Sequence, residues 1–244
     1  MAPYQYKVKV FLYPCVGFSC GRVICPEETG SSDLSDNEFS GSIELQGNTK
    51  YILSYSVKNG GELPFRICEM KKMQDLDLSG NKIVGQFPLC LTRLTGLQVL
   101  DLSSNQLNGN VPSALGSFPL DSLANLSELR LFKLSSRSNS FKVESGSFWR
   151  PKFQLSHISL PSCNLVKVPH FLLYQKDLSH IDLSDNTISG TFPTWLLANN
   201  TKLEVLLLQN NSFTSFQLPK SAHKLLFMDV SLNEFNHLNG YFLI

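Results

Sequence analysis

The sequence has no excess of either charge: 21 Lys and Arg stand against 20 Asp and Glu, a formal net charge of +1. With no run of basic residues there is no electrostatic footprint for phosphate, and nucleic acid is excluded as a partner. The chain also lacks any stretch of the roughly 18 to 20 apolar residues that a membrane-crossing helix needs, so no membrane span is expected in it. Motifs that mark chemistry are missing too. There is no Gly-x-Ser-x-Gly elbow, no phosphate-cradling glycine loop and no His-Glu-x-x-His pair, so neither an enzyme nor a cofactor is expected. Cysteine is sparse, at six. Cys15, Cys20 and Cys25 have four residues between successive members, wider than the usual zinc pair, and no second half with His or Cys accompanies them, so no metal is assigned.

What the chain has instead is repetition. MQDLDLSGNKIVGQFP (Met73 to Pro88), LQVLDLSSNQLNGNVP (Leu97 to Pro112) and LSHIDLSDNTISGTFP (Leu178 to Pro193) share one pattern. LxxLxL points alternate apolar side chains of a short strand inward and leaves the others facing solvent. The Asn that follows (Asn81, Asn105, Asn186) stands where the chain leaves the strand, and its amide can satisfy backbone groups of neighbouring coils. The Gly four residues on (Gly85, Gly109, Gly190) suits a bend with little room, and the next Pro (Pro88, Pro112, Pro193) fixes φ on the return path. One coil cannot bury its own apolar face, so the coils must stack.

This is a leucine-rich repeat, and it predicts an α/β solenoid. A concave parallel β-sheet and an irregular or 3-10 convex side wind into a right-handed superhelix with about 24 residues per repeat. With the Asn position as a ruler, units fall at Asn37, Val57, Asn81, Asn105, Arg137, Cys163, Asn186, Asn211 and Asn233. The step from Asn105 to Arg137 is 32 residues, about eight too many. The expected organisation is a degenerate leader or cap over 1–31 and repeats over 32–236, well formed from about 63. An irregular segment covers 117–152, and a truncated end covers 237–244.

The LDLSxNxLxGxxP motif, together with FPLCLTRLTGLQVLDLSSNQLNGNVPSAL (Phe87 to Leu115), resembles the extracellular repeats of plant leucine-rich-repeat receptor-like proteins, and the ends of the chain give it the look of a truncated or fragmentary copy. The resemblance implies recognition of a peptide, glycan or protein ligand at the outer face of the plasma membrane, with signalling, in defence for example, through a co-receptor kinase. Lys7 to Tyr13 makes only a weak signal peptide. The alternatives are a secreted protein of the polygalacturonase-inhibitor type and a degenerate receptor copy without a ligand.

Strand register lists the candidate face. Four residues before the ruler stand Asp77, Asp101, Lys133, Ser159, Asp182, Leu207 and Asp229. The aspartates are read as a solvated, solubilising row. Six before it stand Asp75, Val99, Leu131, His157, His180, Val205 and Phe227, with Arg130, Glu204 and Leu226 beside them. Polar and cationic groups there give way to an apolar patch of the kind that marks a partner surface. The tentative ligand-binding set is therefore Arg130, Lys133, His157, His180, Asp182, Glu204, Val205, Leu207 and Phe227, with Trp149 added from the irregular segment. Trp149 reads equally as an exposed anchor or as a plug in the core. His157 and His180 are expected to be solvated, with a shared metal or a pH-sensitive pair as the alternative. Cys163 should be a buried, inert thiol. Cys68 and Cys90 could pair but are expected to remain thiols. Sequons mark Asn125, Asn199 and Asn210 for glycosylation.

Overall fold

The computed structural model describes residues 32–34, 51–55, 63, 65–108, 117–138, 141–145, 148–218 and 224–239. The expectations for 1–31, the ruler positions Asn37 and Val57, Gly109 and Pro112 lie outside them. Within them the chain is the expected leucine-rich-repeat solenoid. Strands Ser32–Leu34, Tyr51–Tyr55, Asp75–Asp77, Val99–Leu107, Leu131–Ser136, His157–Ser159, His180–Asp182, Val205–Leu207 and Phe227–Asp229 follow one another in chain order along one parallel sheet. The sheet therefore extends to the amino-terminal side of residue 63, where the sequence pattern is too poor to show it. Residues 237–239, expected beyond the repeats, form a strand of a second, three-stranded sheet with Ser189–Thr191 and Ser212–Gln217.

The LxxLxL spacing acts as expected. The pairs Leu76 and Leu78, Leu100 and Leu102, Phe132 and Leu134, Ile158 and Leu160, Ile181 and Leu183, and Leu206 and Leu208 are all at most 1% exposed. Each such side chain contributes about 1.5–3 kcal/mol by leaving water. Opposite the strands, four of the described return paths open on a proline whose ring supplies the φ that a helix entry needs. Pro88, Pro119 and Pro169 precede the 3-10 helices Leu89–Arg93, Leu120–Asn125 and His170–Tyr174, and Pro193 precedes an α-helical turn, Thr194–Asn199. Gly85 and Gly190 have φ of 88° and 90°, a conformation in which a Cβ would be strained.

The Asn ladder binds coil to coil. The Asn186 side chain donates to the carbonyls of Leu160 in the preceding coil and of Leu183 and Ser184 in its own, and its Oδ1 accepts from the N–H of Cys163 and Leu165. Asn105, Asn211 and Asn233 repeat the scheme, reaching back to Leu78, Leu183 and Leu208. Cys163, as expected, is fully buried, and its thiol donates to the Leu134 carbonyl. Burial pushes its pKa far up, and the Asp182 charge adds to the shift.

The structure corrects three expectations. Arg137 is not the ladder residue. The strand register shifts so that Asn105 pairs with Ser136, which is buried and donates to the Leu107 carbonyl, while Arg137 turns out to solvent. A guanidinium cannot be buried there without a partner, and a one-residue slip puts a small hydroxyl inside instead. The irregular segment is also redrawn. Seventeen residues separate Pro119 from Ser136, as they separate Pro88 from Asn105, so 117–136 is regular. The extra length falls, by count along the sequence, between Asn105 and Pro119, fourteen positions apart where Asn81 and Pro88 are seven apart. The second irregularity is 148–152, where the return path forms no helix. Lastly, Cys68 and Cys90 form a disulfide, with Cα atoms 5.5 Å apart. The consecutive 3-10 helices Phe65–Glu69 and Leu89–Arg93 stack in register and bring the two residues into bonding range.

Candidate functional site

Both rows of outward residues form as the register predicts. Asp77, Asp101, Lys133, Ser159, Asp182, Leu207 and Asp229 are neighbours on successive strands. Asp75, Val99, Leu131, His157, His180, Val205 and Phe227 form the adjacent row.

The aspartates are not the solvated row expected. Asp77, Asp101, Asp182 and Asp229 each accept a hydrogen bond from the N–H of the Ser two residues on, and for Asp101, Asp182 and Asp229 the hydroxyl of that Ser donates as well, at 2.6–2.7 Å. The carboxylate thus closes the turn at the strand end. Asp101 is only 6% exposed and faces the Lys133 ammonium at 3.4 Å. Asp182 also accepts from Ser159 Oγ at 3.0 Å. The bonds from Ser231 hold the Asp229 carboxyl below its ordinary pKa, whereas burial raises that of Asp75, so the face is not free of desolvation either.

His157 and His180 are half-buried and stack, with ring centroids 5.7 Å apart and planes 21° off parallel. His157 Nδ1 is 2.9 Å from Ser156 Oγ, which fixes its ring and leaves Nε2 as the free nitrogen. Both pKa values are lowered, first by burial and then by positive charge: Lys133 acts on His157, while the His157 ring and Lys133 act on His180. Glu204 and Asp182 partly offset this. Around the pair, Arg130 is exposed and donates to the Gln154 carbonyl at 3.4 Å, and Glu204 is exposed on the next strand edge. Val205 and Leu207 are half-buried, Phe227 is 57% exposed and Leu226 81%. The structure thus brings Arg130, Lys133, His157, His180, Asp182, Glu204, Val205, Leu207 and Phe227 onto one surface.

Trp149 is not on that surface. It lies on the return path, half-buried, stacked on Phe171 at 4.9 Å and edge-on to Phe153 at 6.0 Å. Of its two readings, the plug fits: its ring packs where the other coils bury a helical leucine. The sequons differ in availability. Asn125 is exposed at the end of its 3-10 helix, Asn210 is exposed but donates to Asp185, and Asn199 is half-buried and donates to the Leu173 carbonyl. Sequence reading missed the buried polar pair Gln175 and Asn200, whose side chains accept from the N–H of Leu155 and Leu178 respectively, each in the preceding coil. Their signal was a polar residue three before a repeat leucine, where Leu94 and Leu126 stand in other coils. Among the described residues no three His, Cys, Asp or Glu side chains are grouped to hold a metal, and no helix is long and apolar enough to cross a membrane.

The Leucine Rich Repeat family model matches residues 72–94, 96–118 and 177–199. The chain is 62% identical over 212 residues to Receptor-like protein 15 of Arabidopsis thaliana, a match covering 80% of this chain and 21% of that protein. It is 71% identical over 123 residues to Receptor-like protein 13 of the same plant, covering 50% of this chain and 12% of the relative. The chain therefore spans about a fifth or less of these curated relatives. Among solved structures it is similar to the Arabidopsis receptor kinase HAESA, crystallised in complex with the peptide hormone IDA and the co-receptor SERK1. The identity is 28% and the TM-score 0.53, with 87% of this chain and 32% of that chain covered.

Proposed function

Because the chain belongs with the leucine-rich-repeat receptor-like proteins of plants, we propose that its strand face recognises an extended peptide or protein ligand outside the cell, performs no chemistry of its own, and relays binding through a co-receptor kinase. The observation that carries this reading is the uninterrupted row Leu131, His157, His180, Val205 and Phe227, apolar and aromatic in body and edged by Arg130, Lys133 and Glu204. Such a row matches an extended segment that alternates apolar contacts with charged ones, and the HAESA structure supplies the precedent of a peptide held by an ectodomain of this fold. The aspartates support the row, since Oδ1 of each of Asp77, Asp101, Asp182 and Asp229 is already engaged by the serine two residues on.

The test is a displayed peptide library selected on the secreted full chain and, in parallel, on the variant His157→Ala, His180→Ala, Val205→Ser. Sequences enriched by the parent and lost on the variant support the reading. Equal enrichment on both sinks it. Secretion of the same tagged chain from plant cells, with a glycosidase-sensitive mass shift abolished by Asn125→Gln, checks the extracellular placement, and a chain retained without glycan counts against it.

A further inference from the structure

We propose a second recognition site, away from the strand face, in the cleft on the solenoid flank between Lys142–Ser145 and Val166–Val168, and its occupant is an extended peptide of a partner protein that carries a bulky apolar side chain flanked by carboxylates. The flank is where successive coils add a second layer of strands. Lys142–Glu144 forms a two-stranded sheet with Ser117–Pro119, and the three-stranded flank sheet begins at Ser189; the intervening coil contributes a strand to neither, although its Cys163 and Leu165 carbonyls accept from the N–H of Val143 and Thr187, and it separates from its neighbour at Val166–Val168. The break opens a cleft of about 590 Å³. This lies within the range of about 300–1,000 Å³ typical of ligand sites.

The walls point to the ligand's chemistry. Val143, Val166 and Val168 give an apolar floor, and Phe148, 85% exposed, stands at the rim with its ring edge-on to His170 at 4.6 Å. Among the described residues the His170 ring alone stacks edge-on against Phe148, and an aromatic ring left that far in water is what an anchor for a partner side chain looks like. Lys142 and Lys167 line the two sides, both exposed, against a single acid, Glu144, one of whose carboxylate oxygens accepts from Ser117 Oγ at 2.6 Å. The balance of available charge is therefore positive, and it complements a carboxylate. His170 adds a third feature, a buried Nδ1 with no hydrogen-bond partner, a cost that a polar group of the occupant could relieve once the Phe148 ring shifts.

The experiment uses the secreted full chain and fluorescein-labelled hexapeptides alternating phenylalanine with aspartate, or phenylalanine with lysine, read by fluorescence anisotropy. The acidic peptide should bind, the basic one at least about tenfold more weakly, and added salt should weaken the acidic complex. Phe148→Ala, at a site too exposed to matter for folding, should weaken it about tenfold, and Lys142→Glu with Lys167→Glu should do at least as much. His157→Ala with His180→Ala should leave it unchanged, which separates this site from the strand face. No saturable binding, equal binding of both peptides, or indifference to Phe148→Ala would overturn the proposal. Loss in the histidine variant alone would place the peptide on the strand face and overturn it as well.

Discussion

A single side chain in this solenoid often serves two coils, and that sets what its loss costs. Asn186 satisfies the N–H groups of Cys163 and Leu165 and the carbonyl of Leu160, and it shares the Leu183 and Ser184 carbonyls with the Asn211 amide and the Ser162 N–H. Leaving such buried backbone groups unpaired costs about 1–3 kcal/mol each, with incomplete additivity. Asn186→Ala should therefore cost at least about 3 kcal/mol in urea denaturation; a loss below 1 kcal/mol would mean that water replaces the amide. The histidine pair predicts a pH dependence. Both imidazoles titrate below their ordinary value of 6.5, so between that value and the folded pKa the unfolded chain binds more protons. Stability then falls as pH drops below about 6.5 and levels off once both forms are protonated. The melting temperature should decline from pH 7.5 to 5 with a flatter slope in the His157→Asn, His180→Asn variant, and parallel slopes would remove the pair from the account.

At the scale of elements, the return paths decide more than the strands do. The strands of the main sheet from Asp75 onward were legible because the LxL of each repeat alternates inward and outward side chains. The paths carry no such period, so the pairing of Cys68 with Cys90 depended on two 3-10 helices lying in register. A bridge across 22 residues restricts the unfolded chain by about 3 kcal/mol in the chain-entropy picture. Cys90→Ser should destabilise by roughly that amount, with faster hydrogen exchange confined to the first coils; an unchanged exchange pattern would show the clamp to be idle. Ser136 teaches the same lesson from the other side. Counting residues placed Arg137 at the ladder, whereas the energy of burying a guanidinium moved the register by one.

Among the described residues the buried side chains form one continuous row from Ile67 to Phe216, yet each coil bonds only to its neighbours. Stability in such an array is a sum of coil and interface terms. The interface around 148–174 depends on Trp149, Phe153 and Phe171 in place of a helix. Trp149→Ala should cost about 3–5 kcal/mol and speed hydrogen exchange in 141–174 while 181–213 stays protected. Uniform acceleration along the chain would mean that the solenoid unfolds as a single unit.

By itself the sequence determined the coil, the inward leucines and the two outward rows, with the register correct except at Arg137, because a strict local period leaves one way to hide the apolar face. It did not show that the aspartates lock turns, that Trp149 plugs a missing helix, that Gln175 and Asn200 bond across coils, or that the flank opens at Phe148. Those depend on which groups of one coil meet which groups of the next across some 24 residues of chain. Only stacking decides that, since burial, charge neutralisation and hydrogen-bond satisfaction are settled between coils rather than along them.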